Sequence, residues 1–268
     1  MAALTSPVPA VRAGTLLEAW VLPALGIVTF LILWAGCTAA GLAPARLLPG
    51  PGAVATEFIV LTHTPYSGAV LQVHLLASLM KFSLGYGLAV LTGVPLGLTM
   101  GRYRIVEWAI APLYESVRFI PPIAWVPFSI LWFGTGFLAP TLVIFSGAFS
   151  PCVLNAYRGV HTADRALMEA AQTLGPGRWA TMTEVLLPAA LPDIVAGLRV
   201  AAGFAWQSLI GAELIVGSTG LGYLIIQGES NLSSTVVVVG MITIGLTGAV
   251  IDFAMLRAER FVRRNWGQ

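Results

Sequence analysis

Charge is what this sequence has least of. Lys, Arg, Asp and Glu make up 10% of the 268 residues, where a soluble domain carries about 25%. That is too little polar side chain to cover a surface facing water, so a soluble globular domain is excluded. Cysteine is scarce as well. Cys37 and Cys152 each lie inside an apolar run, which rules out a disulfide framework. The three histidines, His63, His74 and His161, are far apart in sequence, and nothing gathers them into a metal site. A net charge of +2, scattered along the chain, gives no basis for nucleic-acid binding. No G-x-x-x-x-G-K-[ST] loop is present to cradle ATP phosphates, and "GPGR" at 175–178 lacks the lysine. No Ser–His, Asp–Asp or H-E-x-x-H arrangement supports an intramembrane enzyme.

What the sequence does have is apolar runs. It is 57% hydrophobic, with a mean hydropathy of +0.85. The expected fold is an all-α integral membrane protein with six spans, at 20–40, 72–100, 105–133, 137–157, 191–216 and 233–256. The first run is longer than the ~7–15 apolar residues of a secretion signal, so it reads as a retained helix. Trp34 also stands where a lipoprotein cleavage site needs a small aliphatic residue. The third span carries Arg118 and then "FIPPIAWVPFSILWFG". Pro121, Pro122 and Pro127 should break or kink it. Irregular backbone at membrane depth is tolerated where protein or a water-filled cavity satisfies it. A segment facing a pathway and a purely structural kink are both open readings.

Arginines set the orientation. Arg12, Arg102, Arg104, Arg158, Arg165, Arg178, Arg257, Arg260, Arg263 and Arg264 all fall on one side if the spans alternate. The opposite connections hold only Arg46. The positive-inside rule then places both termini in the cytoplasm. This gives a cytoplasmic tail at 1–19, a transmembrane domain at 20–256 and a second cytoplasmic tail at 257–268. On the outer side, 46–59 begins Pro/Gly-rich and turns amphipathic, while the apolar middle of 217–231 is too short to span. Gly93, Gly97 and Gly101 repeat every four residues, forming a face that another helix can approach closely.

The one long polar connection on the cytoplasmic side covers residues 158–190. "TADRALMEAAQTL" at 162–174 reads as a short helix stopped by Gly175, Pro176 and Gly177. A second short helix is expected from Arg178 to Leu187, with Pro188 and Pro192 leading into the fifth span. Two short helices joined by a glycine turn carry an apolar face that the loop itself cannot bury. A partner protein is the simplest cover.

Within this loop lie Glu169, Ala170 and Ala171, then Gly175, then Val185, Leu187 and Pro188. The pattern resembles Glu-Ala-Ala, three residues, Gly, nine residues, Ile, one residue, Leu-Pro, with Val185 as the one departure. That is the loop of the permease subunits of bacterial ABC importers, whose short helices dock into the ATPase subunit. Residues 120–136, 191–215 and 220–225 further resemble permeases of the nitrate, sulfonate, taurine and bicarbonate group. The resemblance covers roughly residues 45–256. It implies a permease that is not itself an enzyme and binds no cofactor, with ATP and Mg used by a separate ATPase. It implies as partners a second permease copy, two ATPase subunits, a periplasmic or lipid-anchored binding protein, and membrane lipid. The implied solute is a small oxyanion, with a neutral pyrimidine precursor as the alternative. A secondary transporter would need no ATPase, and the cytoplasmic knob and the lack of a recognisable inverted repeat weigh against one.

Charges and polar groups inside spans mark candidate sites, because a buried charge is costly unless paired or hydrated. Arg118, beside the broken segment, is a candidate anion contact, as are Gln207 and Ser208 in the fifth span. Arg199 and Gln207, eight residues apart, share roughly one helical face. They read as a polar stripe along a pore, or Arg199 as a structural ion pair. Trp125, Trp132 and Trp206 read as an aromatic wall, or equally as lipid-facing or packing residues. Glu213, with Gly220 and Gly222 beyond it, is expected to fix the outer loop or the mouth of a dimer. Lys81 is expected at intermediate depth, its stem reaching toward headgroups. Asp252 is expected to snorkel or cap.

Overall fold

The computed structural model describes residues 16–42, 44, 46–162, 177 and 180–266. The described residues are helical nearly throughout. Their α-helices are α1 (Leu16–Ala39), α2 (Pro51–His63), α3 (Leu71–Arg102), α4 (Arg104–Val117), α5 (Val126–Phe133), α6 (Leu138–Thr162), α7 (Leu187–Val216), α8 (Leu221–Ser230) and α9 (Ser234–Trp266). A 3₁₀ turn, Pro122–Trp125, precedes α5, and a π-helical run, Thr181–Leu186, precedes α7. Five stretches are long and apolar enough to cross a membrane; α4 and the Pro122–Phe133 piece make a sixth when taken as one broken span. The chain is thus an all-α, multi-pass membrane protein.

The centre is built from α3, α6 and α7, which approach closely because small residues line the contacts. Gly85 leaves no room for a Cβ, which would stand 2.7 Å from the Ile144 Cβ. Gly93 faces Cys152, Gly97 faces Ala156 and the Val153 carbonyl, and Gly101 faces Val160. The four-residue glycine spacing of α3 therefore becomes the α3–α6 seam. Association of helices in lipid depends on this packing, because the tails are as apolar as the side chains. Phe82, Ile144, Trp206, Leu209, Leu221 and Leu224 fill the main core around it.

α1 stands apart. None of the residues in its apolar window is buried, and its tie to the rest is the Trp34 indole, which donates to the Pro49 carbonyl at 3.0 Å. The segment after it forms α2, with Pro51 in its first turn and Val54 and Leu61 turned inward.

The third expected span bends by 89° between α4 and the Pro122–Phe133 segment. The cause is local. Pro121 and Pro122 lack N–H donors, and each disfavours helical backbone in the residue before it. Pro121 accordingly takes φ −58, ψ 141. Pro127 sits in the first turn of α5, where a missing N–H costs nothing.

Two expectations are corrected. The second short helix does not end before the fifth span: Thr181–Val216 is one continuous helical stretch. The π turn accommodates Pro188 by widening the backbone ahead of it, with the Leu187 N–H reaching five residues back to Met182. The last helix runs past 256 to Trp266, and the Arg263 Nε to Glu259 Oε1 pair at 3.0 Å supports it one turn apart. As expected, the apolar middle of 217–231 is too short to span; it forms the ten-residue α8. It packs on α7 and α9 with Leu221, Leu224 and Gly228 buried.

Candidate functional site

The structure sorts the candidate residues into three places. The first is the break in the third span. Arg118 closes α4, its N–H bonded to the Tyr114 carbonyl at 2.9 Å. Its Nε stands 2.7 Å from Glu115 Oε2, and its guanidinium carbon lies 4.8 Å from the centre of the Phe119 ring. Nε itself is shut off from solvent. Arg118 and Trp125 border one partly open cavity of about 310 Å³, lined from α4, the 3₁₀ turn and α6, with Leu96 of α3. On its wall the Tyr114 hydroxyl donates to the Ser150 carbonyl at 2.9 Å, and Ser146 Oγ to the Val143 carbonyl at 2.8 Å.

The second place is a cleft of about 210 Å³ between α7 and α9, bordered by Arg199, Trp206, Gln207 and Asp252. Arg199 is committed to an ion pair. Its Nε and Nη2 meet Asp252 Oδ1 and Oδ2 at 2.7 and 2.9 Å, and its Nη1 lies 3.4 Å from Glu259 Oε2. The planar guanidinium matches the carboxylate with two parallel bonds. Asp252 therefore neither snorkels nor caps. Trp206 is a core residue: it is buried, packs edge-on against Phe82 at 5.8 Å and donates to the Ile244 carbonyl at 3.3 Å. Gln207 is exposed on the outer surface of α7. Ser208 turns the other way, donating to the Phe204 carbonyl at 2.7 Å and packing against Gly147. Neither Gln207 nor Ser208 borders the Arg118 cavity.

The third place is a buried polar cluster at the start of α8. Glu213 is 0% exposed and Lys81 1%. Lys81 Nζ donates to Glu213 Oε1 at 2.8 Å and also to the Thr219 carbonyl. Lys81 thus does not reach toward headgroups, because a buried carboxylate holds it. Ser78 Oγ lies 2.9 Å from both Glu213 oxygens and accepts the Leu221 N–H at 2.8 Å. The Gly222 N–H reaches Glu213 Oε2 at 3.0 Å. Gly220, at φ 123, leaves the carboxylate its space; a Cβ there would collide with it. His74 Nδ1 accepts the Gly220 N–H at 3.2 Å, so Nε2 carries the proton toward the Tyr66 carbonyl at 3.1 Å. Sequence reasoning missed His74 and Ser78 as members. Their signal was there: His74, Ser78 and Lys81 fall at i, i+4 and i+7, a polar stripe on an otherwise apolar helix.

Of the expected ATPase-coupling residues, Leu187 and Pro188 lie at the start of α7. Leu187 packs against the cluster of Leu98, Ala156, Ala190 and Ile194. Glu169, Ala170, Ala171 and Gly175 lie outside the described residues. Among the described residues, no group of His, Cys, Asp and Glu is placed to hold a metal ion.

Residues 93–265 match the model of the family described as "Binding-protein-dependent transport system inner membrane component". The chain belongs to this family. The permease is 32% identical to the taurine transport system permease protein TauC of Escherichia coli over 235 residues, 87% of this chain and 86% of that one. It is 31% identical to the bicarbonate transport system permease protein CmpB of Synechococcus elongatus over 259 residues, 93% of this chain and 91% of that one. Among solved structures, an inward-facing form of the MetNI methionine ABC transporter superposes with TM-score 0.60 and 22% identity. The match covers 70% of the permease and 93% of that chain, and it speaks for the fold alone. The permease is a multi-pass inner-membrane transport subunit and not an enzyme.

Proposed function

We propose that the permease forms half of the translocation path of an ATP-driven importer for a small oxyanion, with both termini in the cytoplasm and a second copy completing the path. The observation that carries this reading is the Arg118 cavity. It sits where the span breaks, and it puts one charged donor, the Arg118 guanidinium, on an otherwise largely apolar wall. An anion leaving water needs such donors in place of its hydration shell, without a trap too deep to leave. The relatives named for taurine and bicarbonate support the same class of solute.

In this reading the loop at 158–190, with Glu169, Ala170, Ala171 and Gly175, docks on one of two ATPase subunits that use ATP and Mg. The docked loop moves the spans through the continuous Thr181–Val216 helix. A separate binding protein delivers the solute. Arg199 with Asp252 and Glu259 serves as a clasp between α7 and α9 rather than an anion contact. Gln207 lies on a lipid- or copy-facing surface. Glu213, Gly220 and Gly222 fix the outer loop.

The test is uptake by the permease reconstituted with the ATPase and binding protein encoded beside it. The panel is nitrate, bicarbonate, taurine, alkanesulfonates and a neutral pyrimidine precursor. ATP-dependent uptake of an oxyanion is expected. Uptake of the neutral heterocycle alone, or uptake without the ATPase, overturns the reading.

A further inference from the structure

Resting on the oxyanion reading above, we propose that the Arg118 cavity is itself a selective site for anions that carry an apolar body, and that it disfavours bare inorganic oxyanions. The wall is apolar but for one end. Of the thirteen lining residues, nine are aliphatic or aromatic, among them Leu113, Val117, Trp125, Leu142, Phe145 and Phe149. The remaining four are Tyr114, Arg118, Ser146 and Ser150. The Tyr114 and Ser146 hydroxyl protons are already spent on backbone carbonyls, and Ser150 Oγ faces the Tyr114 hydroxyl at 3.1 Å. The charge and the spare donors are therefore concentrated at one end, on Arg118.

Nitrate or bicarbonate presents acceptors all round. In this cavity most of them would face hydrocarbon, and a polar group desolvated without a partner is penalised. The cavity, at about 310 Å³, is also far larger than such an ion needs. A four-atom ion fills a small part of it and leaves the apolar wall wet. An anion with a headgroup at one end and a hydrocarbon body at the other matches both halves. The headgroup meets the Arg118 guanidinium, the one charged group on the wall, beside its half-exposed partner Glu115. The body covers the aromatic wall. Each added methylene should then tighten binding about fourfold, the equivalent of burying one CH₂.

The site can be read apart from the binding protein. The permease–ATPase complex in lipid nanodiscs, with no binding protein, is loaded with radiolabelled pentanesulfonate. The label is competed with methane-, propane- and pentanesulfonate, pentanol, nitrate and bicarbonate. Inhibition constants are expected to fall about fourfold per methylene along the sulfonates. Nitrate, bicarbonate and pentanol are expected to compete weakest. Phe145→Ala should flatten the chain-length series. Arg118→Gln should weaken all the sulfonates about tenfold or more, and Arg118→Lys should restore part of the loss.

Equal competition by methane- and pentanesulfonate, or strongest competition by nitrate or bicarbonate, overturns the inference. Competition by pentanol as strong as by pentanesulfonate also overturns it, since the cavity would then be taking up any apolar chain. If Arg118→Gln does not assemble, the wild-type series decides alone. Import of nitrate by the complete importer with a flat sulfonate series leaves the oxyanion reading standing and removes this one. Absence of any oxyanion uptake removes both.

Discussion

Lys81 and Glu213 show what a single buried pair does in this molecule. They are 132 residues apart and meet at 2.8 Å with essentially no exposure. The sequence marks each as an anomalous charge in an apolar run, but it cannot pair them, because nothing local relates positions so distant. Lys81 alone reads as a snorkelling residue; only the packing of α3 on α7 supplies the carboxylate. Removing one partner strands the other. Glu213→Ala is expected to destabilise the protein by about 3–5 kcal/mol, the range for an uncompensated buried charge. The double variant Lys81→Met with Glu213→Leu should recover much of that loss, because a well-packed apolar pair of similar volume is often tolerated. Thermal unfolding of the three variants in nanodiscs checks this. A double variant no better than the single one would mean that the Ser78 and Gly222 contacts, rather than the charge pair, dominate. Arg199 was more legible. Its place soon after the cytoplasmic loop already suggested an ion pair, though not that Asp252 would supply it through both oxygens.

At the scale of the element, proline is read correctly in one place and wrongly in another. The Pro121–Pro122 pair breaks the third span as its chemistry dictates, since two adjacent residues lose donors and helical backbone together. Pro188 and Pro192 do not break the fifth. Pro188 stands in the first turn of α7 behind a π-helical run, and Pro192 lies within α7, where neighbouring helices support a freed carbonyl. Sequence carries the same residue type in both cases; the difference lies in spacing and in the packing around it. The glycine seam was legible because size and period suffice to define a face. Gly97→Val is expected to cost about 1–3 kcal/mol through overpacking, since a Cβ at Gly97 already meets Ala156 and the Val153 carbonyl. Gly87→Val, with nothing within 4 Å of a Cβ, should cost far less. Melting temperatures of the two variants, compared side by side, test this. Equal losses would show that the seam is not the tight contact.

At the scale of the whole molecule, the class of protein was present in hydropathy and in the loop pattern; of the six expected spans, five stand as long apolar helices and the sixth depends on taking the bent pair as one. The division of labour among the charged residues was not present there. Topology is testable by labelling. Gly228 is buried and unsuitable as an outer site, since a Cβ there would stand 3.1 Å from Val236 Cγ1. Leu232, 88% exposed in the turn after α8, suits the purpose. In a background with Cys37 replaced, Leu232→Cys should react with an impermeant thiol reagent in intact cells. Arg264→Cys, on the exposed end of α9, should react only after permeabilisation. The reverse pattern would invert the molecule in the membrane.

The central claim is that the solute passes through the Arg118 cavity as an anion. Its most direct measurement is ATP-dependent uptake by the complete importer in proteoliposomes, comparing wild type with Arg118→Gln. Intact assembly and unchanged binding-protein affinity serve as controls. The account predicts at least a tenfold fall in uptake with the complex still assembled, on the scale of a lost charge-assisted bond of about 1.5–3 kcal/mol. Unaltered uptake in the Arg118→Gln importer would contradict it.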